Sequence, residues 1–117
     1  MAALGRHILA DFYGCNPEIL DSEEEVKNLL IGAAQASGAT IVGASFHRFA
    51  PQGVSGMVLI AESHLAIHTW PENGFAAVDI FTCGPIEPLV AYRFLLEAFQ
   101  AQSGSLVEVN RGIEGLV

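Results

Sequence analysis

The sequence predicts an α+β protein: a two-layer α/β sandwich in which a largely antiparallel sheet carries two helices on one face. Three observations lead there. Segments of strand composition outnumber helical ones. Several are joined by turns too short for a parallel crossover. The 117 residues also hold no repeat, linker or low-complexity stretch, so one domain spans 1–117.

At the N-terminal end, residues 6–13, "RHILADFY", mix β-branched and aromatic residues as a strand does. "GCNPEILDSEEE" is a turn that leads into a helix, with Ser22 at the N-cap, Glu25 three residues on, and an acidic run suited to the positive helix end. Val26, Leu29, Leu30, Ala33 and Ala34 recur at helical spacing until Gly38 ends the segment. "ATIVGASFHRF" returns to strand composition, "PQGVSG" reads as a loop, and "MVLIA" as a short buried strand. In "HLAIHTW", Leu65, Ile67 and Thr69 alternate with His64, Ala66, His68 and Trp70, which assigns them to opposite faces of a strand. "PENG" is a turn, "FAAVDIFTC" a strand broken at Gly84-Pro85, and 87–102 a second amphipathic helix with Leu89, Tyr92, Leu96 and Phe99 inward. "SLVEVNR" closes the sheet.

Composition narrows the function. Apolar residues make up 51% and charged residues 15%, which excludes disorder and points to apolar surface covered by another subunit. Five Lys and Arg against thirteen Asp and Glu give a net charge of −8, with no basic cluster to hold nucleic acid or an anionic membrane. Such a surface is compatible with a cationic small molecule. Cys15 and Cys83 do not make a disulfide scaffold. The N-terminal stretch lacks the pattern of a signal peptide, and no apolar run reaches eighteen residues. The expectation is a cytoplasmic protein with reduced thiols.

Polar groups concentrate in "AESHLAIHTWPENG", residues 61–74. His64 and His68 have the i, i+4 spacing of metal ligands on a helix, but four residues along a strand span about 13 Å, too far for one ion. No metal is expected. Ser63 lies near two histidines without the G-x-S-x-G elbow of a hydrolase. Spacing alone leaves solvated strand-end histidines beside a capping serine as the simplest reading.

The string "GVSGMVLIAESHLAIHTWPENGFAAVDIFTCG", residues 53–84, strongly resembles the short bacterial and archaeal form of the S-adenosylmethionine decarboxylase family. "LGRHILADFYGC" and "SGATIVGASFHRF" extend the likeness over residues 4–84. Beyond Gly84 it weakens, and position 61 is Ala where the family commonly has Ser.

The resemblance implies a proenzyme that cuts itself between Glu62 and Ser63, giving a β chain of residues 1–62 and an α chain of 63–117. Ser63 would attack the Glu62 carbonyl, β-elimination would sever the chain, and loss of ammonia would leave a pyruvoyl group in place of Ser63. A serine hydroxyl needs a base and oxyanion stabilisation for this. By resemblance His68 is the processing base and Ser55 assists it. If the chain reverses near Ala61 and Glu62, these two stand nearly opposite on adjacent strands, with Cβ atoms about 5 Å apart.

A pyruvoyl cofactor would form a Schiff base with the substrate amine and supply the electron sink that pyridoxal phosphate otherwise provides. The chain has a single lysine, Lys27, and no Gly-rich phosphate loop. Cys83 is implied as the acid that protonates the substrate carbon, and a thiol is mostly protonated at neutral pH. Cys15 is expected to be structural.

The implied substrate, S-adenosylmethionine, is a nucleoside with a cationic sulfonium and an amino acid arm. Phe49 and Trp70 would stack on it, Glu72 would accept from ribose hydroxyls, and Glu62 would remain near the pocket. The family further implies a homodimer of cleaved protomers, supplying the aminopropyl donor for spermidine synthesis. The same chemistry on arginine or ornithine is the nearest alternative. A non-catalytic ligand-binding module is an alternative of another class.

Overall fold

The computed structural model describes residues 2–117. Six strands form one sheet: β1 (Ala3–Tyr13), β2 (Ile41–Arg48), β3 (Val54–Ile60), β4 (Ser63–Trp70), β5 (Phe75–Cys83) and β6 (Ser103–Ile113). Their order is β2-β3-β4-β5-β1-β6, and every neighbouring pair is antiparallel. Three helices accompany them: α1 (Pro17–Leu20), α2 (Glu23–Ala36) and α3 (Pro88–Ala98). The expected sandwich stands.

Alternation along the strands builds the core. Ile8, Ala10 and Phe12 of β1, Val58 and Ile60 of β3, Leu65 and Ile67 of β4, and Val78 and Ile80 of β5 are buried on one face. Val26, Leu30, Ala33 and Ala34 of α2 and Ala91 and Leu95 of α3 close over them, with Phe99 just past α3. The inner face of α3 is thus centred on Ala91 and Leu95; Leu89, Tyr92 and Leu96 flank it, partly buried. Thr69, the buried polar residue of β4, accepts from the Val54 amide at 2.8 Å and donates to the Leu20 carbonyl at 2.8 Å, tying α1 to the sheet.

Local chemistry explains where elements start and stop. Ser22 caps α2 by accepting from the Glu25 amide at 3.1 Å, as its position predicts. The stretch expected to be only a turn contains α1, a single helical turn capped by Asn16, with Pro17 at the first helical position. Part of the expected 51–56 loop is strand: β3 already begins at Val54, and Gly56 lies under the Phe46 ring, where a Cβ would meet ring carbon at 2.0 Å. "PENG" forms a 3-10 turn at Pro71–Asn73, closed by Gly74 at φ 59°, a conformation glycine adopts freely. The second helix is shorter than the expected 87–102. No described helix is long and apolar enough to cross a membrane.

Among the described residues no helix covers the opposite face of the sheet. Leu9, Tyr13, Met57, Leu59, Trp70, Val107 and Val109 all stand on it, each more than a third exposed.

Candidate active site

Ala61 and Glu62 make the tight turn between β3 and β4, so the chain reverses where the sequence predicts. Hydrogen bonds fix this tip. The Ala61 amide donates to the Thr40 carbonyl at 2.9 Å, and the Thr40 amide to Glu62 Oε1 at 3.1 Å. The Glu62 carbonyl accepts from the Cys83 amide at 2.8 Å. Ser63 follows at φ 124°, a region that L residues rarely occupy and that costs on the order of 1–3 kcal/mol.

Ser63 and Cys83 line one cleft of about 320 Å³, together with Gly5, Phe81 and Arg111. The sheet register assembles it. Gly5 pairs with Cys83 on one side and Arg111 on the other, so strands distant in sequence place the three in one row. A Cβ on Gly5 would come within 2.7 Å of the Phe81 ring, so only glycine leaves this floor intact. Gly5, Phe81 and Arg111 were not singled out from the sequence, because the register that gathers them is not written in any local pattern.

Ser55 and His68 pair across β3 and β4, as the hairpin predicts, with Ser55 Oγ and His68 Nδ1 2.7 Å apart. His68 and Trp70 lie with ring centroids 6.4 Å apart, and Trp70 packs against Phe75 at 5.3 Å with the rings tilted by 39°. Glu72 is exposed in the adjoining 3-10 turn. Phe49 follows the end of β2, its amide donating to the Gly53 carbonyl at 2.8 Å and its ring 4.6 Å from His47. Asp21 braces that loop, accepting from the Gly53 amide at 2.9 Å and from Arg48 at 2.8 Å. The Arg48 guanidinium and the Gly53 amide hold the Asp21 carboxyl below the usual range.

The expected residues therefore form two sets. Glu62, Ser63 and Cys83 occupy one end of the strands; Ser55, His68, Phe49, Trp70 and Glu72 occupy the other. Ser63 and His68 are five residues apart on β4, about 16 Å at strand rise. Within one chain His68 does not reach Ser63.

His64 sits between the sets, packed against Phe81 at 5.7 Å and apart from His68. Among the described residues no group of three or more His, Cys, Asp or Glu is placed to hold a metal ion. Cys15 is buried in the core, where desolvation pushes its thiol up to about 11.

The family model for S-adenosylmethionine decarboxylase matches residues 6–112. The chain belongs to the S-adenosylmethionine decarboxylase family. The match continues past Gly84, where the likeness read from the sequence weakened. A relative from Thermodesulfovibrio yellowstonii, named S-adenosylmethionine decarboxylase proenzyme, is 56% identical over 97% of this chain and 84% of its own length. A proenzyme of the same name from Thermosipho africanus is 54% identical over 96% and 87%. The crystal structure of the adenosylmethionine decarboxylase from Aquifex aeolicus superposes with a TM-score of 0.90 at 38% identity, covering 97% of this chain and 94% of that one. A Trypanosoma brucei family structure shares the fold at TM-score 0.66 and 13% identity, with this chain spanning 45% of it.

Proposed function

We propose that this chain is a self-cleaving, pyruvoyl-dependent decarboxylase of S-adenosylmethionine that is cut between Glu62 and Ser63. The observation that carries the reading is the hydrogen bond from the Cys83 amide to the Glu62 carbonyl, beside a strained Ser63. When Ser63 Oγ adds to the Glu62 carbonyl carbon, negative charge grows on an oxygen that already has a donor. The amide becomes an ester. Removal of the Ser63 α proton then expels the Glu62 carboxylate, and water replaces the residue 63 nitrogen as ammonia, leaving a ketone. Release of an unfavourable φ favours departure from the uncut state.

That ketone supplies the electron sink for loss of carbon dioxide. Cys83, exposed and lining the same cleft, is the acid that returns a proton to the substrate α carbon. Phe49 and Trp70 offer aromatic faces to the nucleoside, Glu72 accepts from the ribose, and the carboxylate freed at Glu62 stays at the cleft. His68 is the processing base: with Nδ1–H donating to Ser55 Oγ, its Nε2 lone pair is left to take a proton.

A homodimer reconciles the two sets. If the open, apolar faces of two copies stack about a two-fold axis that lies between the sheets and across the strands, each strand runs over its counterpart in reverse. The end bearing Ser63 then meets the end bearing the partner's catalytic pair. Such an isologous contact would also cover the exposed row from Leu59 to Val109. In this reading the enzyme supplies an aminopropyl donor for spermidine synthesis and works in the cytoplasm.

Intact-mass measurement and carbon dioxide release test this together. Two fragments meeting at residues 62 and 63, one capped by a carbonyl, with turnover of S-adenosylmethionine but not arginine or ornithine, are expected. A folded, uncut chain that still releases carbon dioxide would overturn the reading.

A further inference from the structure

The cleft that holds Ser63 and Cys83 contains a positive charge for which the processing chemistry has no use. We propose that Arg111 binds the α-carboxylate of the substrate and so fixes the amino acid arm in the cleft. This rests on the decarboxylase reading and adds a residue to it.

Three observations converge. Arg111 shares a cross-strand row with Gly5 and Cys83, about 10 Å from Cys83 at two inter-strand spacings. That gap suits an amino acid arm lying between a long guanidinium side chain and the thiol. The guanidinium is also held in place. It lies 5.4 Å from the Phe81 ring centroid, and Nη1 donates to His7 Nδ1 at 3.1 Å. Because arginine only donates, His7 is fixed as an acceptor at Nδ1 and carries its proton on Nε2. Finally, no carboxylate among the described residues lies within ion-pair distance of Arg111. Arg6 pairs with Glu108 and Glu87 and Arg48 with Asp21; Lys27 and Arg93 are as free of ion pairs as Arg111 but do not line the cleft. In a chain with thirteen acidic residues and five Lys and Arg, this cation is left facing the cleft without a counterion.

The substrate carries three charged groups: a sulfonium, an ammonium and a carboxylate. Only the carboxylate complements Arg111, whose planar fork matches its two oxygens. Gripping it at one point settles which bond of the α carbon faces the electron sink. In the single chain Arg111 is exposed. His7 is a positioning residue here. Its Nδ1 accepts from Arg111, while its Nε2 is buried without a hydrogen-bond partner, 4.0 Å from Asp79.

The test exploits the product, which differs from the substrate by the carboxylate. Arg111→Gln and Arg111→Lys are purified as cleaved enzyme, and KM for S-adenosylmethionine is measured beside the inhibition constant of its decarboxylated form. KM should rise about ten- to hundred-fold in Arg111→Gln, the range for losing a charge-assisted hydrogen bond, and less in Arg111→Lys. The product's constant should stay within about two-fold or tighten, since a repelling cation is gone. Parallel loss of substrate and product affinity would instead make Arg111 a partner of the new Glu62 carboxylate or of the fold, and would sink the proposal. An unchanged KM sinks it too. If Arg111→Gln does not mature, Arg111→Lys carries the same contrast, and failure of both to mature likewise overturns a role confined to substrate. Wild type run alongside separates the two readings: if it fails to decarboxylate, the functional reading has failed and not the assignment of Arg111.

Discussion

Two dead variants should revive one another. On the proposed mechanism Ser63→Ala removes the nucleophile and His68→Ala the base, and each alone should remain one uncut chain. Ser63 and His68 are about 16 Å apart along β4, whereas proton transfer needs about 3 Å. The proposed base for one chain would therefore come from the other. In a mixed dimer, one site lacks both groups and the second keeps both. Random pairing of equal amounts makes about half of the protomers mixed, so about half of the His68→Ala chains should be cut and none of the Ser63→Ala chains. Co-expression with tags of different mass, followed by intact-mass analysis, reads this directly. Equal mixtures in which neither chain is cut, beside wild type that matures fully, would refute the reasoning.

Cys83→Ala should still yield both fragments but lose most turnover, since the Cys83 amide that serves Glu62 survives while the thiol does not; normal kcat would remove Cys83 as the acid. A thiol reagent applied to native protein should modify Cys83 and spare Cys15, which is buried with its thiol pushed up to about 11; peptide mapping after alkylation would show it. Asp21 has a folded pKa below its unfolded one, so its contribution is complete above about pH 4 and fades as pH falls through the lower, folded value. The stability difference between wild type and Asp21→Asn in urea should accordingly shrink in acid, and a difference that grows there would contradict the pairing with Arg48.

Period-two alternation made most of the sheet legible, and it also predicted that Ser55 would face His68 once the turn was placed at Ala61 and Glu62. What escaped had no period to show. Four residues of α1 are too few for a helical pattern, and only the Asn16-Pro17 cap marks them. Val54 to Gly56 looked like a loop because Pro51, Gly53 and Gly56 punctuate it, yet Gly56 serves a strand by making room for Phe46. The spacing that separates His64 from a metal partnership with His68 also separates Ser63 from His68, so the division of the site was implicit in the sequence. Arg111 was not, because its place depends on β6 docking beside β1 across about a hundred residues of chain.

Strand order also decides how the two pieces would fare after the proposed scission. Residues 1–62 supply β1, β2 and β3, and residues 63–117 supply β4, β5 and β6, but β1 is inserted between β5 and β6. The two pieces are woven into one fabric rather than laid side by side. Pulling them apart would mean tearing three ladders at once, β3 from β4 and β1 from both its neighbours. Losing that peptide bond would thus leave the proposed mature protein mechanically whole, while a heat-denatured sample would have to re-knit two strangers to recover.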